Sequence, residues 1–75
     1  MPRAPRLTGR EAVRALKRLG WREVTQRGSH VQLEHPERIG KVTIPLHAGE
    51  TLDPKLLASV LRQAGLTAEQ LRDVL

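Results

Sequence analysis

Two segments of strict alternation constrain this chain more than any other feature. His30 to His35 is HVQLEH and Lys41 to Leu46 is KVTIPL. Successive side chains of a strand face opposite ways, so Val31 and Leu33 share one face and His30, Gln32 and Glu34 the other. Val42 and Ile44 are separated in the same way from Lys41 and Thr43. Pro36 to Gly40 (PERIG) is the turn between the two segments. A further short strand is expected at Arg22 to Arg27, around Val24 and Thr25, with Gly28-Ser29 turning the chain into His30. The expectation is three short antiparallel strands, each with one apolar face. Such a sheet requires helices on that face and leaves the opposite face open.

The helices are marked by their ends. Thr8-Gly9-Arg10-Glu11 is a capping box, in which the Thr8 hydroxyl and the Glu11 carboxylate each accept from a free amide of the first turn. Ala12, Val13, Leu16 and Leu19 form the apolar stripe of this helix, with Arg10, Arg14, Lys17 and Arg18 outside it. Gly20 stops the helix, and Trp21 falls where the following residue packs back onto Leu16. Asp53-Pro54 opens a second helix with a cap residue and a proline at its first position; Leu56, Leu57, Val60 and Leu61 are its stripe and Gly65 its stop. Thr67 and Gln70 form another capping box, opening a short terminal helix with Leu71, Val74 and Leu75. The order is helix, three strands, helix, short helix, an α+β fold. Residues 1–6, with two prolines and two arginines, are expected to be a flexible arm, and 7–75 one domain.

Composition narrows the chemistry. The chain has no cysteine, which excludes disulfides, thiolate metal sites and a thiol nucleophile. No apolar run approaches the roughly 20 residues that span a bilayer, and Met1 to Leu7 lacks the apolar core of a signal peptide, so the expected compartment is the cytoplasm, with no membrane partner. Thirteen basic residues against eight acidic ones, ten of the cations being arginine, point to a polyanionic partner. There is one aromatic residue, Trp21, and none on the polar sheet face, whereas a sheet that stacks single-stranded bases carries two or three. Contact with phosphate and ribose is therefore the expected mode.

That polar face, expected to hold Glu23, Thr25, Arg27, His30, Gln32, Lys41 and Thr43, is where catalysis is expected. Since Val31 and Leu33 face the core, His30 faces the open side. His47 keeps the parity of Lys41, Thr43 and Pro45 and joins it if the strand continues. Two registers keep like faces together, with paired residue numbers summing to 75 or to 77. The second sets His30 and His47 opposite, about 5 Å between Cβ atoms; the first sets them on a diagonal, roughly 7–8 Å apart. Two such imidazoles can split RNA without metal. One takes the proton of a ribose 2′-hydroxyl and the other protonates the departing 5′-oxygen, and histidine suits both roles because its unperturbed pKa of about 6.5 lies near working pH. Arg27 and Lys41 are the candidate phosphate contacts, and Gly28 and Ser29 offer a backbone amide and a hydroxyl. No metal or other cofactor is expected. The competing metal site with Glu34 lacks a third converging ligand, because His35 points to the other face, and Ser29 and His30 point oppositely, against a serine hydrolase.

The same residues resemble a known family. Leu7-Thr8-Gly9, Leu19-Gly20-Trp21, Gln26-Arg27-Gly28-Ser29-His30, Val42-Thr43-Ile44-Pro45 with His47, and Leu61-Arg62-Gln63-Ala64-Gly65-Leu66 are similar, in order and spacing, to HicA-type toxins. These are small mRNA-cleaving proteins (mRNA interferases) of toxin–antitoxin pairs. The resemblance runs from Leu7 to Leu75, and its most specific pieces are Gly-Ser-His and Leu-Arg-Gln-Ala-Gly. It implies a fold like a double-stranded-RNA-binding domain (dsRBD-like), endoribonuclease action on mRNA, a catalytic histidine at His30, and a HicB-type antitoxin that masks the active face. Members often carry a second histidine or an aromatic just after the catalytic one, where this chain has Val31-Gln32-Leu33; the aromatic after the first helix is commonly Phe and here is Trp21. The alternative reading is a non-catalytic RNA-binding or protein-interaction module on the same scaffold. It is disfavoured as a plain duplex binder, because the second helix begins Asp53-Pro54-Lys55 rather than with a lysine-rich turn.

Overall fold

The computed structural model describes residues 6–75; of the expected arm, residues 1–5 lie outside the described residues. The order is α1 (Gly9–Arg18), β1 (Arg22–Arg27), β2 (His30–Glu34), β3 (Val42–Pro45), α2 (Pro54–Ala64) and α3 (Ala68–Arg72), an α+β fold. The strands form one antiparallel sheet in the order β1-β2-β3. No helix among the described residues is long and apolar enough to cross a membrane.

Each helix begins as its local chemistry requires. The Thr8 hydroxyl accepts from the Glu11 amide at 3.2 Å while Glu11 Oε1 accepts from the Thr8 amide at 2.9 Å. Those bonds hold the Glu11 carboxyl below its ordinary pKa of 4.5, with the Thr8 backbone amide the first cause. A carboxylate lowered on folding stabilises the fold fully above its unfolded pKa and loses that contribution as pH falls through the folded value. Acid titration of the melting temperature should therefore show a decline below about pH 4.5, and Glu11→Gln, which still accepts from Thr8, should make that decline shallower. An identical acid limb in the variant would assign it to other carboxylates. Asp53 accepts from the Lys55 amide at 2.8 Å ahead of Pro54, and Thr67 and Gln70 repeat the reciprocal pair at α3.

Both long helices end with the same two bonds. Gly20 N–H donates to Lys17 and Trp21 N–H to Leu16; Gly65 and Leu66 donate likewise to Arg62 and Leu61. This places Trp21, only 3% exposed, against buried Leu16, as a hydrophobic closure of the Schellman motif.

The core lies between the helices and two strands. Val31, Leu33, Val42 and Ile44 are fully buried, packed with Ala12, Val13, Ala15 and Leu16 of α1 and with Leu57, Val60, Leu61 and Ala64 of α2. Leu71 anchors α3, whereas Leu75, expected in the apolar stripe of that helix, lies beyond its end and is exposed. The entry to α1 is tied down by buried Leu7, whose carbonyl accepts from Leu52, and by a bridge between Thr8 and Thr51. Gly9 lies so close to the end of β3 that a Cβ there would collide with the Pro45 carbonyl. The N-terminus of α1 is thereby set against the strand end that neighbours His30.

β1 departs from expectation. None of its residues is buried, so it has no apolar face. Pairing with β2 shifts between Glu23 and Thr25, leaving Val24 as the extra, exposed residue of a bulge. The extra residue reverses the alternation. Thr25 and Arg27 pair with Gln32 and His30 on the open face, but Glu23 pairs with Leu33 and so turns to the helix side. There its carboxylate meets Lys17 of α1 at 2.9 Å. The expected place of Glu23 on the open face is thus overturned by the bulge.

Candidate active site

The open face is built in rows across the strands. Residue pairs of β2 and β3 sum to 75, the diagonal one of the two possible registers. The first row is Arg27, His30 and Pro45, and the second Thr25, Gln32 and Thr43. In the third Arg22 pairs with Glu34, which meets Lys41 at 3.8 Å. Thr25 Oγ donates to Gln32 Oε1 at 3.0 Å, tying the second row together across β1 and β2.

His30 opens β2 and is exposed, with Arg27 its direct partner across the hairpin. The hairpin turn is Gly28-Ser29, and only Gly28 has a positive φ, +56°, the pattern of a two-residue turn with glycine first. A side chain at Gly28 would strain the turn that sets Arg27 opposite His30. Ser29 is half-buried, and its carbonyl accepts from the Leu46 amide, carrying the β2–β3 ladder one residue beyond Pro45. Since residues 29 and 46 bond directly, the His30–Pro45 pair is the non-bonded kind. Proline's missing N–H costs nothing there.

The other predicted residues are placed less centrally. Lys41 does share the open face, but its partner Glu34 lies four positions along β2 from His30, about 13 Å along the strand. It is not brought to His30. β3 ends at Pro45, so strand parity does not carry His47 onto the open face as expected. His47 is exposed in the following loop, where its carbonyl accepts from Glu50, and it lines one cavity with Thr8 and Arg10 and another with Pro45, Glu50 and Asp53.

His35 is structural. Its Nδ1 accepts from the Glu37 amide at 3.0 Å, which leaves Nε2–H to donate to the Leu19 carbonyl at 3.1 Å. Its ring meets Trp21 edge-on, centroids 5.4 Å apart. Of the three histidines, His30 is the one presented beside a cation on the uncovered sheet face. Among the described residues no three His, Asp or Glu side chains converge as a metal site would require.

Residues 9–66 match the family model described as the HicA toxin of bacterial toxin–antitoxin systems. The chain belongs to the HicA toxin family. No individual curated protein matches it. The family match spans both long helices and the whole sheet, and stops before α3. Membership makes this chain the toxin half of a toxin–antitoxin pair, with an antitoxin as its partner.

Thr25 and Gln32 were visible as polar-face residues, but not their mutual bond. In the sequence Arg10 is only an outer position of α1, because nothing local indicates that the helix N-terminus lies beside His47.

Proposed function

We propose that this HicA-family toxin is an endoribonuclease that cleaves mRNA through His30, without a metal, and that a HicB-type antitoxin neutralises it by covering the open sheet face. The observation that carries the reading is His30 itself, an exposed imidazole directly opposite Arg27, on the sheet face that no helix covers.

A phosphate laid between Arg27 and the Gly28-Ser29 turn brings its ribose to His30. Neutral imidazole takes the 2′-hydroxyl proton, the 2′-oxygen bonds to phosphorus, and the bond from phosphorus to the 5′-oxygen breaks as that oxygen receives a proton. The products are a 2′,3′-cyclic phosphate and a free 5′-hydroxyl. Arg27 offsets the charge that grows on the phosphoryl oxygens. His47, exposed in the loop that follows Pro45, is assigned the second proton transfer, and Lys41 a contact to a neighbouring nucleotide. The open face carries cations in its first and third rows and no aromatic, which suits backbone contact better than base stacking. A partner that covers it should be acidic.

Purified protein incubated with a defined mRNA in EDTA should yield fragments with 2′,3′-cyclic phosphate and 5′-hydroxyl ends. Cleavage only on adding a divalent ion would overturn the mechanism. Retention of RNA without any cleavage would favour the non-catalytic module.

A further inference from the structure

A second charged surface lies on the other side of the sheet. Because β1 contributes nothing to the core, it overhangs α1 and leaves a groove of about 450 Å³ between them. Arg10, Arg14 and Lys17 line it from α1, and Glu23 and Gln26 from β1. The three cations stand at i, i+4 and i+7, on one helix face and about 6 Å and 4.5 Å apart along the axis. Glu23 engages Lys17 at 2.9 Å, which leaves Arg10 and Arg14 as the cations the groove presents.

The groove is continuous with the end of the sheet that carries the candidate site. Arg10 and Leu46 also line, with His47, a small cavity beside the groove, and the Leu46 amide is bonded to Ser29, the residue before His30. A chain leaving His30 over the Pro45 end therefore meets His47, then Arg10, then Arg14.

We infer that the α1–β1 groove is a second RNA-backbone site, in which Arg10 and Arg14 hold phosphates of the same strand that is cut at His30. This rests on the RNA reading above and extends it to the helix side. The alternative occupant, an acidic segment of a protein, fits less well. Protein interfaces are built around an apolar or aromatic centre. Here the apolar lining is confined to Val13 and Leu46, and Val13 is 7% exposed. A phosphate backbone needs only fixed cations and hydrogen-bond donors, which arginines and Gln26 supply.

The test measures binding of a labelled single-stranded RNA to the full chain carrying His30→Ala, across a range of salt concentrations. Adding Arg10→Gln with Arg14→Gln should weaken binding and reduce the slope of log affinity against log salt by about 1.4, two single-strand phosphate contacts. A charge-matched control, Lys55→Gln with Arg62→Gln on α2, should leave the slope near that of the parent. An unchanged slope in the α1 variant, or equal losses in both, overturns the groove as a site. So does loss of antitoxin binding with RNA binding intact, which would assign the groove to the partner protein. A parent that binds no RNA at any salt refutes the RNA reading itself, a result distinct from failure of the groove.

Discussion

His30→Ala is expected to lower RNA cleavage by about 10²- to 10⁴-fold, the usual contribution of a positioned acid or base, and to abolish growth arrest on expression. The fold should survive. His30 is exposed at the first position of β2, and its row on the open face contributes nothing to the core. Surface changes of this kind stay within about 0.5 kcal/mol, so the melting temperature should move by less than about 4 °C. Single-turnover cleavage of a defined mRNA, with far-UV circular dichroism on the same samples, makes both comparisons. His47→Ala should have a smaller effect, because the strand that would align it with His30 ends at Pro45. A folded His30→Ala protein with full toxicity would remove the catalytic assignment.

Trp21→Ala is expected to have the largest effect on stability. Trp21 is 3% exposed, closes the C-terminus of α1 over Leu16, and meets the ring of His35. Truncating a buried Trp costs about 3–5 kcal/mol. A chain of 75 residues has about 4–11 kcal/mol in all. The loss takes about a quarter of that total at the least and all of it at the most, so the variant should unfold at a much lower urea concentration, and its toxicity should fall without any change at His30. Trp21→Phe, which keeps a ring over Leu16, should recover most of the loss. Urea denaturation followed by circular dichroism measures the series, since the only tryptophan is the residue replaced. A wild-type midpoint for Trp21→Ala would show that the closure of α1 contributes little.

The two expectations separate chemistry from folding in a small toxin. His30 sits on a surface row whose neighbours are Arg27 and Pro45, and its loss should leave stability alone. Trp21 and His35 lie on the helix side, where His35 uses both ring nitrogens to join the end of α1 to the turn after β2. Two histidines five residues apart in one sequence thus serve opposite purposes, and strand parity is what divides them.

Helix ends were legible because each is decided by groups a few residues apart. Thr8 with Glu11, Asp53 with Lys55, and Thr67 with Gln70 find each other within one turn, and Gly20 and Gly65 close their helices within another. The faces of β2 and β3 were legible for a related reason. Their alternation would expose Val31, Leu33, Val42 and Ile44 in any other arrangement, and all four are fully buried. The faces of β1 are not legible, because Arg22 to Arg27 carries a single apolar residue, Val24, and that residue is the bulge. Without an apolar row, nothing in the segment reports which way its side chains turn.

What the sequence by itself determined is therefore local chemistry and one parity: where helices start and stop, and that His30 faces away from the core. Both follow from interactions within a few residues, or from the free energy of burying four aliphatic side chains. Only the tertiary structure decided between two registers that bury the same residues, and placed Lys41 far from His30. It also set the bulge that sends Glu23 to Lys17, ended β3 before His47, and left β1 overhanging the cations of α1. Those outcomes depend on how far each helix extends across the sheet and how a loop closes. Contacts between residues distant in the chain settle them, and no short stretch of sequence carries that information.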